Sequence, residues 1–257
     1  MFWLRSSAGW ILARTKLARV ERVCDAHGRV TGYSKRRLLR MRPLLWFSRV
    51  LPFEIEGLDE DAWLAWEIQL WRKFHDLEAT RECDRLLMPA LPGELLSAVL
   101  QSARIGDATK RRAFAATLQA LQAAHGQEVL WPDGHRAAFS HGDAHARNVF
   151  YHSARDRAYW FDFEFIHAAK MTVAERHADD LRALAFSTAA YWSGEHDVEI
   201  AERIAAAARG EVRAALRRDI EHHRVRPGLL HLSQTPLSRK QHARFASVLL
   251  ERIIAAN

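Results

Sequence analysis

Residues 140–150, SHGDAHARNVF, constrain the fold more than any other part of the chain. Their polar positions follow neither a helical nor a strand period, so the segment reads as a loop. It leads into two short apolar runs, 149–151 and 158–161, on either side of the polar turn 152–157. That pattern predicts a hairpin. Asp162 follows the second run directly, fourteen residues after Asn148. A hairpin between them brings the two side chains back together. The fold must therefore hold a β-loop-β unit at its centre.

The flanking sequence says what surrounds that unit. Residues 17–23 alternate apolar and charged, 25–28 (DAHG) carry turn chemistry, and 29–35 return, which predicts a hairpin over 17–35. A basic, aromatic stretch follows over 36–53, broken by Pro43 and Pro52. Trp63, Trp66, Leu70 and Phe74 fall at helical spacing and predict a helix over 59–76, with Asp59, Glu60 and Asp61 at its N-terminal end. Pro89 and Pro92-Gly93 mark a connector before a short helix through Leu95, Leu96 and Leu100. A strong helix is predicted over 110–125, stopped by Gly126, and further helices over 178–192, 199–218 and 238–255. The order, β-rich first and helical last, predicts an α+β fold in two lobes, one domain over 1–257. The small lobe would span about 1–88, the hinge about 87–94 and the mostly helical lobe about 95–257.

Composition narrows the setting. Cys24 and Cys83 form neither a disulfide framework nor a metal-ligand spacing, which fits two reduced thiols. No apolar run reaches the roughly 18 residues of a spanning helix. The apolar start, 1–12, is interrupted by Arg5 and lacks a cleavage site, so it does not read as a signal peptide. The expected location is cytoplasmic, with the inner face of a membrane as a further option. Charge is uneven: residues 1–50 hold twelve Lys/Arg against two Asp/Glu, and residues 51–100 hold four against eleven. A basic first fifth fits an anionic partner, whether phosphates, a phosphorylated glycolipid or a membrane face, and fits a solvated surface equally. Nucleic acid rests on charge alone.

The chemistry sits in His141-x-Asp143-x-x-x-x-Asn148 followed by Asp162-Phe163. By chance the first motif arises in roughly 3% of chains of this length, and adding Asp-Phe at that distance lowers this to below roughly 0.1%. Phosphoryl transfer from ATP needs positioning and charge neutralisation more than covalent help. A carboxylate beside the acceptor hydroxyl takes its proton, the role expected of Asp143. Hard oxygen ligands hold Mg²⁺ against the phosphates. Asn148 offers an amide oxygen and Asp162 a carboxylate. His141 is expected to brace the loop backbone.

HGDAHARN…FDFE resembles the small-molecule branch of the protein-kinase-like superfamily, which includes aminoglycoside phosphotransferases, choline kinases and lipopolysaccharide Kdo/heptose kinases. The match falls at His141, Gly142, Asp143, His145, Asn148, Asp162 and Glu164. The resemblance implies a bilobal kinase-like fold, Asp143 as catalytic base, and Asn148 and Asp162 as magnesium ligands. It also implies that Asp180, in ADDLRAL, supports the loop and that the backbone near 87–94 meets adenine. Only eighteen residues separate Asp162 from Asp180, too few for the activation segment of a regulated protein kinase. A small-molecule, sugar or glycolipid hydroxyl is thus favoured as acceptor. A minimal Ser/Thr protein kinase and a pseudokinase or nucleotide-binding scaffold are the alternatives.

The first part of the chain departs from this pattern. It has no G-x-G-x-x-G loop, and residues 6–9 (SSAG) are the only early small-residue stretch. Lys35 is the candidate lysine for the ATP phosphates and Glu67 its candidate partner. Flanked by Arg36 and Arg37, Lys35 reads equally as one of three solvated charges. Arg36, Arg37, Arg40, Arg42, Trp46, Phe47 and Arg49 could form a basic amphipathic face toward an anionic membrane, or an ordinary helix with exposed arginines. Arg213, Arg217, Arg218, Arg224 and Arg226 could cradle an anionic acceptor or be merely solvated. No pattern reports the acceptor's identity or the oligomeric state.

Overall fold

A computed structural model of the chain describes residues 18–38, 55–192, 194–225 and 236–256. The fold is mixed α+β, with small antiparallel sheets ahead of a largely helical second half. The residues 6–9, and Arg40, Arg42, Trp46, Phe47, Arg49 and Arg226, lie outside the described residues, as does the Arg224 side chain.

The first hairpin forms over β1 (Ala18–Cys24) and β2 (Val30–Arg37). The Asp25 side chain accepts from the backbone N–H of His27 and Arg29, which closes the turn. A short strand, β3 (Ile55–Gly57), leads into helix α1 (Glu60–His75). Asp59 caps α1 by accepting from the Ala62 N–H, and Glu60 and Asp61 suit its positive end. Its apolar stripe buries Trp63, Trp66, Leu70 and Trp71, and one carboxylate, Glu67, lies within that stripe. Strands β4 (Thr80–Glu82) and β5 (Arg85–Pro89) complete a four-stranded sheet of order β1-β2-β5-β4. Its register sets Lys35 opposite Leu86.

Strand β6 (Glu94–Leu95) and helix α2 (Leu96–Gln101) precede helix α3 (Asp107–His125). Strands β7 (Glu128–Leu130) and β8 (Arg136–Ala138) form a small ribbon. The central hairpin pairs β9 (Val149–His152) with β10 (Arg157–Trp160), and β6 adds to β9. At its open end the Phe161 N–H donates to the Asn148 carbonyl, which carries Asp162 back to the loop. Strand β11 (Phe165–His167) then pairs with β3, Glu56 opposite Ile166.

Helices α4 (Val173–Tyr191), α5 (Asp197–Ala207), α6 (Gly210–Val225) and α7 (Arg239–Ala255) follow. Leu184, Ile200, Ile204, Leu216, Ile220, Phe245, Leu249 and Ile253 are buried among them. Each such side chain contributes roughly 1.5–3 kcal/mol relative to exposure. Among the described residues no helix is long and apolar enough to cross a membrane.

Two expectations for this half need correction. Helix α4 begins at Val173 rather than 178, because Thr172 and Glu175 form a reciprocal capping box. The single helix expected over 199–218 is two. Ala208 is extended and Gly210 has φ +52°, a left-handed value that glycine adopts without steric cost.

Candidate active site

Lys35 and Arg37 alternate along β2, so both point to the same side of the sheet. Lys35 is buried, and its Nζ lies 3.1 Å from Glu67 Oε1 and 3.4 Å from Glu164 Oε2. It also contacts Asp162 Oδ1. The reading of Lys35 as a solvated charge is thereby overturned. Lys35 and Glu67 are brought together although the undescribed stretch lies between them in sequence.

Arg37 is a correction of the same kind. Its side chain is 6% exposed and not part of a surface face. Nε donates to Glu164 Oε1 at 3.0 Å, and the other nitrogens donate to the carbonyls of Glu164 and Leu58. Trp63 lies beneath both cations, its ring centroid 5.3 Å from Lys35 Nζ and 4.5 Å from the Arg37 guanidinium carbon. Its indole N–H donates to Glu67 Oε1 at 3.2 Å. Arg36, between the two cations, faces outward and pairs with Asp84.

Two cations thus meet three carboxylates: Glu67, Asp162 and Glu164. Burial depresses the Lys35 ammonium, but the charges of Asp162, Glu164 and Glu67 outweigh this and hold it well above its ordinary value. Burial pushes the Glu67 carboxyl up against the pull of Lys35, and its Oε2 is buried with no hydrogen-bond partner. At Asp162, burial acts upward but Lys35 prevails and holds the carboxylate low. Asp162 has φ +65°, a left-handed value that Asp tolerates better than most residues.

The 140–148 loop carries the other half of the site. The Asn148 amide donates to the Asp143 carbonyl and to Asp143 Oδ2, both at 2.9 Å. Burial, then the charge of Asp162, raise the Asp143 carboxyl to about 7. His141 accepts at Nδ1 from the Asp143 N–H at 3.3 Å, and its Nε2 lies 3.1 Å from the Phe161 carbonyl. Asp180 lies beneath the loop and accepts from the N–H groups of His141 at 2.7 Å and Gly142 at 3.0 Å. Gly142 has φ +78°, and a Cβ there would come 2.8 Å from the Phe165 carbonyl oxygen, so only glycine fits.

The residues present fit a divalent cation. Both hydrogens of the Asn148 amide go to Asp143, which leaves Oδ1 as the atom that could ligate a cation. The Asp162 carboxyl is held low, its side chain is 32% exposed, and three carboxylates face two cations in the cluster. In the connector after β5, the Ala90 N–H is spent on the Thr31 carbonyl.

Glu164 is marked by the FDFE resemblance without a role, while Arg37 and Trp63 are not marked as members of this cluster, although faint signals exist. Arg37 lies two positions from Lys35 on one strand, and Trp63 one helical turn before Glu67. In the C-terminal helices, Arg213 is not held for an acceptor: it donates to the carbonyls of Ala208 and Ala256. Arg217 pairs with Glu221. No family model matches the chain, and no curated protein matches it.

Proposed function

We propose that the chain is an ATP- and Mg²⁺-dependent phosphotransferase with a bilobal, protein-kinase-like arrangement. Its acceptor is the hydroxyl of a small molecule, sugar or glycolipid. The observation that carries this reading is the meeting of Lys35, Glu67 and Asp162 beside the Asp143–Asn148 loop. These residues come from a strand, a helix, a loop and a hairpin end. A purely structural ion-pair cluster has no need of the adjoining base-and-amide pair.

Magnesium-bound ATP supplies the phosphoryl group and the neutralising charge when bound. Lys35, kept cationic by its carboxylates, orients the phosphates. Asn148 Oδ1 and the Asp162 carboxylate hold the ion. Asp143 accepts the hydroxyl proton at Oδ1 or Oδ2, and the Asn148 amide fixes its orientation. Gly142 and Asp180 keep the loop backbone in place. The short path from Asp162 to α4, which starts eleven residues on at Val173, favours a small acceptor over a protein one. The basic balance of residues 1–50 suits an anionic acceptor, or one presented at an anionic membrane face.

Calorimetric titration of ATP, with and without Mg²⁺, tests the site on wild type and Asp162→Ala. Binding that requires both magnesium and Asp162 is expected. Absence of nucleotide binding in the folded wild type would refute the reading.

A further inference from the structure

His167, on β11, is fully buried and reaches three separate parts of the molecule. Its Nδ1 lies 2.8 Å from Ser140 Oγ, at the entry to the loop. Its Nε2 lies 3.2 Å from Asp179 Oδ2 and 3.9 Å from Asp180 Oδ1. Asp179 contacts the Arg182 guanidinium, which also pairs with Asp219 of α6. Asp180 carries the loop's two N–H groups and also lies 2.9 Å from His125 Nε2, at the end of α3.

Ligand atoms of His167, Asp179 and Asp180 lie within 4.8 Å of one another, a spacing that could suit a metal ion. Their commitments argue otherwise. Both Asp180 oxygens accept backbone N–H groups, and a cation beside Asp179 would face Arg182. The arrangement is a brace whose members satisfy one another.

We propose that His167 is a positioning residue for the 140–148 loop, acting through Ser140 on one side and the Asp179–Asp180 pair on the other. The imidazole fills both roles in either protonation state. Neutral, with its proton on Nε2, it donates to Asp179 and accepts from the Ser140 hydroxyl. Charged, it donates at both nitrogens. Through Asp179 and Arg182 the brace continues to α6, so the loop is referenced to the helical body as well as to its own hairpin. The kinetic consequence rests on the proposed phosphotransfer; the structural one does not.

Hydrogen–deuterium exchange on the ligand-free, full-length chain reads the brace directly. In His167→Ala, amides of the 139–150 segment are expected to exchange on the order of tenfold faster, with α5 and α7 unchanged. Ser140→Ala removes one contact with little loss of volume and should give a smaller increase in the same segment. It also carries the test if His167→Ala does not fold. His167→Gln, whose amide can replace Nε2, is expected to exchange more slowly than His167→Ala. Unchanged loop exchange in folded His167→Ala, or in Ser140→Ala where the former does not fold, would overturn the proposal. Turnover provides the second readout: kcat falls on the order of tenfold in His167→Ala while KM for ATP is kept. A wild type that binds no ATP would sink the phosphotransferase reading alone, because exchange is measured without nucleotide.

Discussion

The Lys35 cluster and the Asp180 cluster are both buried and both charged, yet they are satisfied to different degrees. Around Asp180, two backbone amides and one imidazole supply donors, with a second imidazole 3.9 Å away, and Asp180 is fully buried. Around Lys35, three carboxylates compete for two cations, Glu67 Oε2 has no hydrogen-bond partner, and Asp162 stays partly exposed. Burying an unbalanced charge is costly unless something else compensates it. A closed cluster holds a shape, whereas one left with excess charge and an opening to solvent is suited to a charged ligand. The molecule places the two back to back, with the 140–148 loop between them.

Substitution at the open side should have the largest effect on chemistry. Asp143→Asn keeps the shape but cannot accept a proton. Turnover in the proposed reaction should fall by about 10²–10⁴-fold, while calorimetry shows nearly unchanged Mg²⁺-ATP affinity. Near-normal turnover would remove Asp143 from the mechanism. Next in size is Lys35→Met, which leaves Glu67, Asp162 and Glu164 facing one another around a lost cation. A stability loss of about 3–5 kcal/mol is expected in urea unfolding, with part recovered when Mg²⁺ is added. A loss confined to ATP binding would mean that the carboxylates do not depend on Lys35 for their burial.

The smallest effect belongs to a control outside both clusters. Burial, aided by the charge of Arg157 and opposed by the Trp160 carbonyl, pulls His75 down to about 4. The unfolded chain takes up that proton near pH 6.5 and the folded chain only near 4, so wild type loses stability at this site as pH falls between them. His75→Gln cannot lose it. The stability gap between wild type and His75→Gln should therefore narrow by about 2 kcal/mol from pH 7.5 to 4.5. A gap independent of pH would show that His75 stays neutral in both states or is protonated equally in both.

What was legible in the sequence was local. The α1 cap and stripe, the first hairpin and the central β-loop-β unit each follow from residues within a few positions of one another. Asp143, Asn148 and Asp162 could be singled out because a single loop and hairpin join them. Glu164 stood out only through its place in FDFE, and its pairing with Arg37 could not be read, since 127 residues separate them and neither interrupts a local period. Three-residue strands such as β3 and β11 are too short to carry an alternation. His125 and His167 meet Asp180 from separate elements, and nothing in their immediate neighbours marks them. The break at Gly210 was visible as a residue but was outweighed by the alanine-rich, helix-favouring run before it.

The pairing of β3 with β11 also bears on how the molecule comes into being. Its partners, such as Glu56 and Ile166, lie 110 residues apart. Contacts of such separation form late, because the intervening chain must first be ordered. During synthesis the N-terminal hairpin emerges with Lys35 already in place, long before Asp162 and Glu164 exist. For that interval Glu67 is the one carboxylate of the cluster within reach of the ammonium. The Lys35–Glu67 pair needs only the first third of the chain, whereas Asp162 and Glu164 arrive with the central hairpin, so the charge junction is assembled in two stages, its excess carboxylates last.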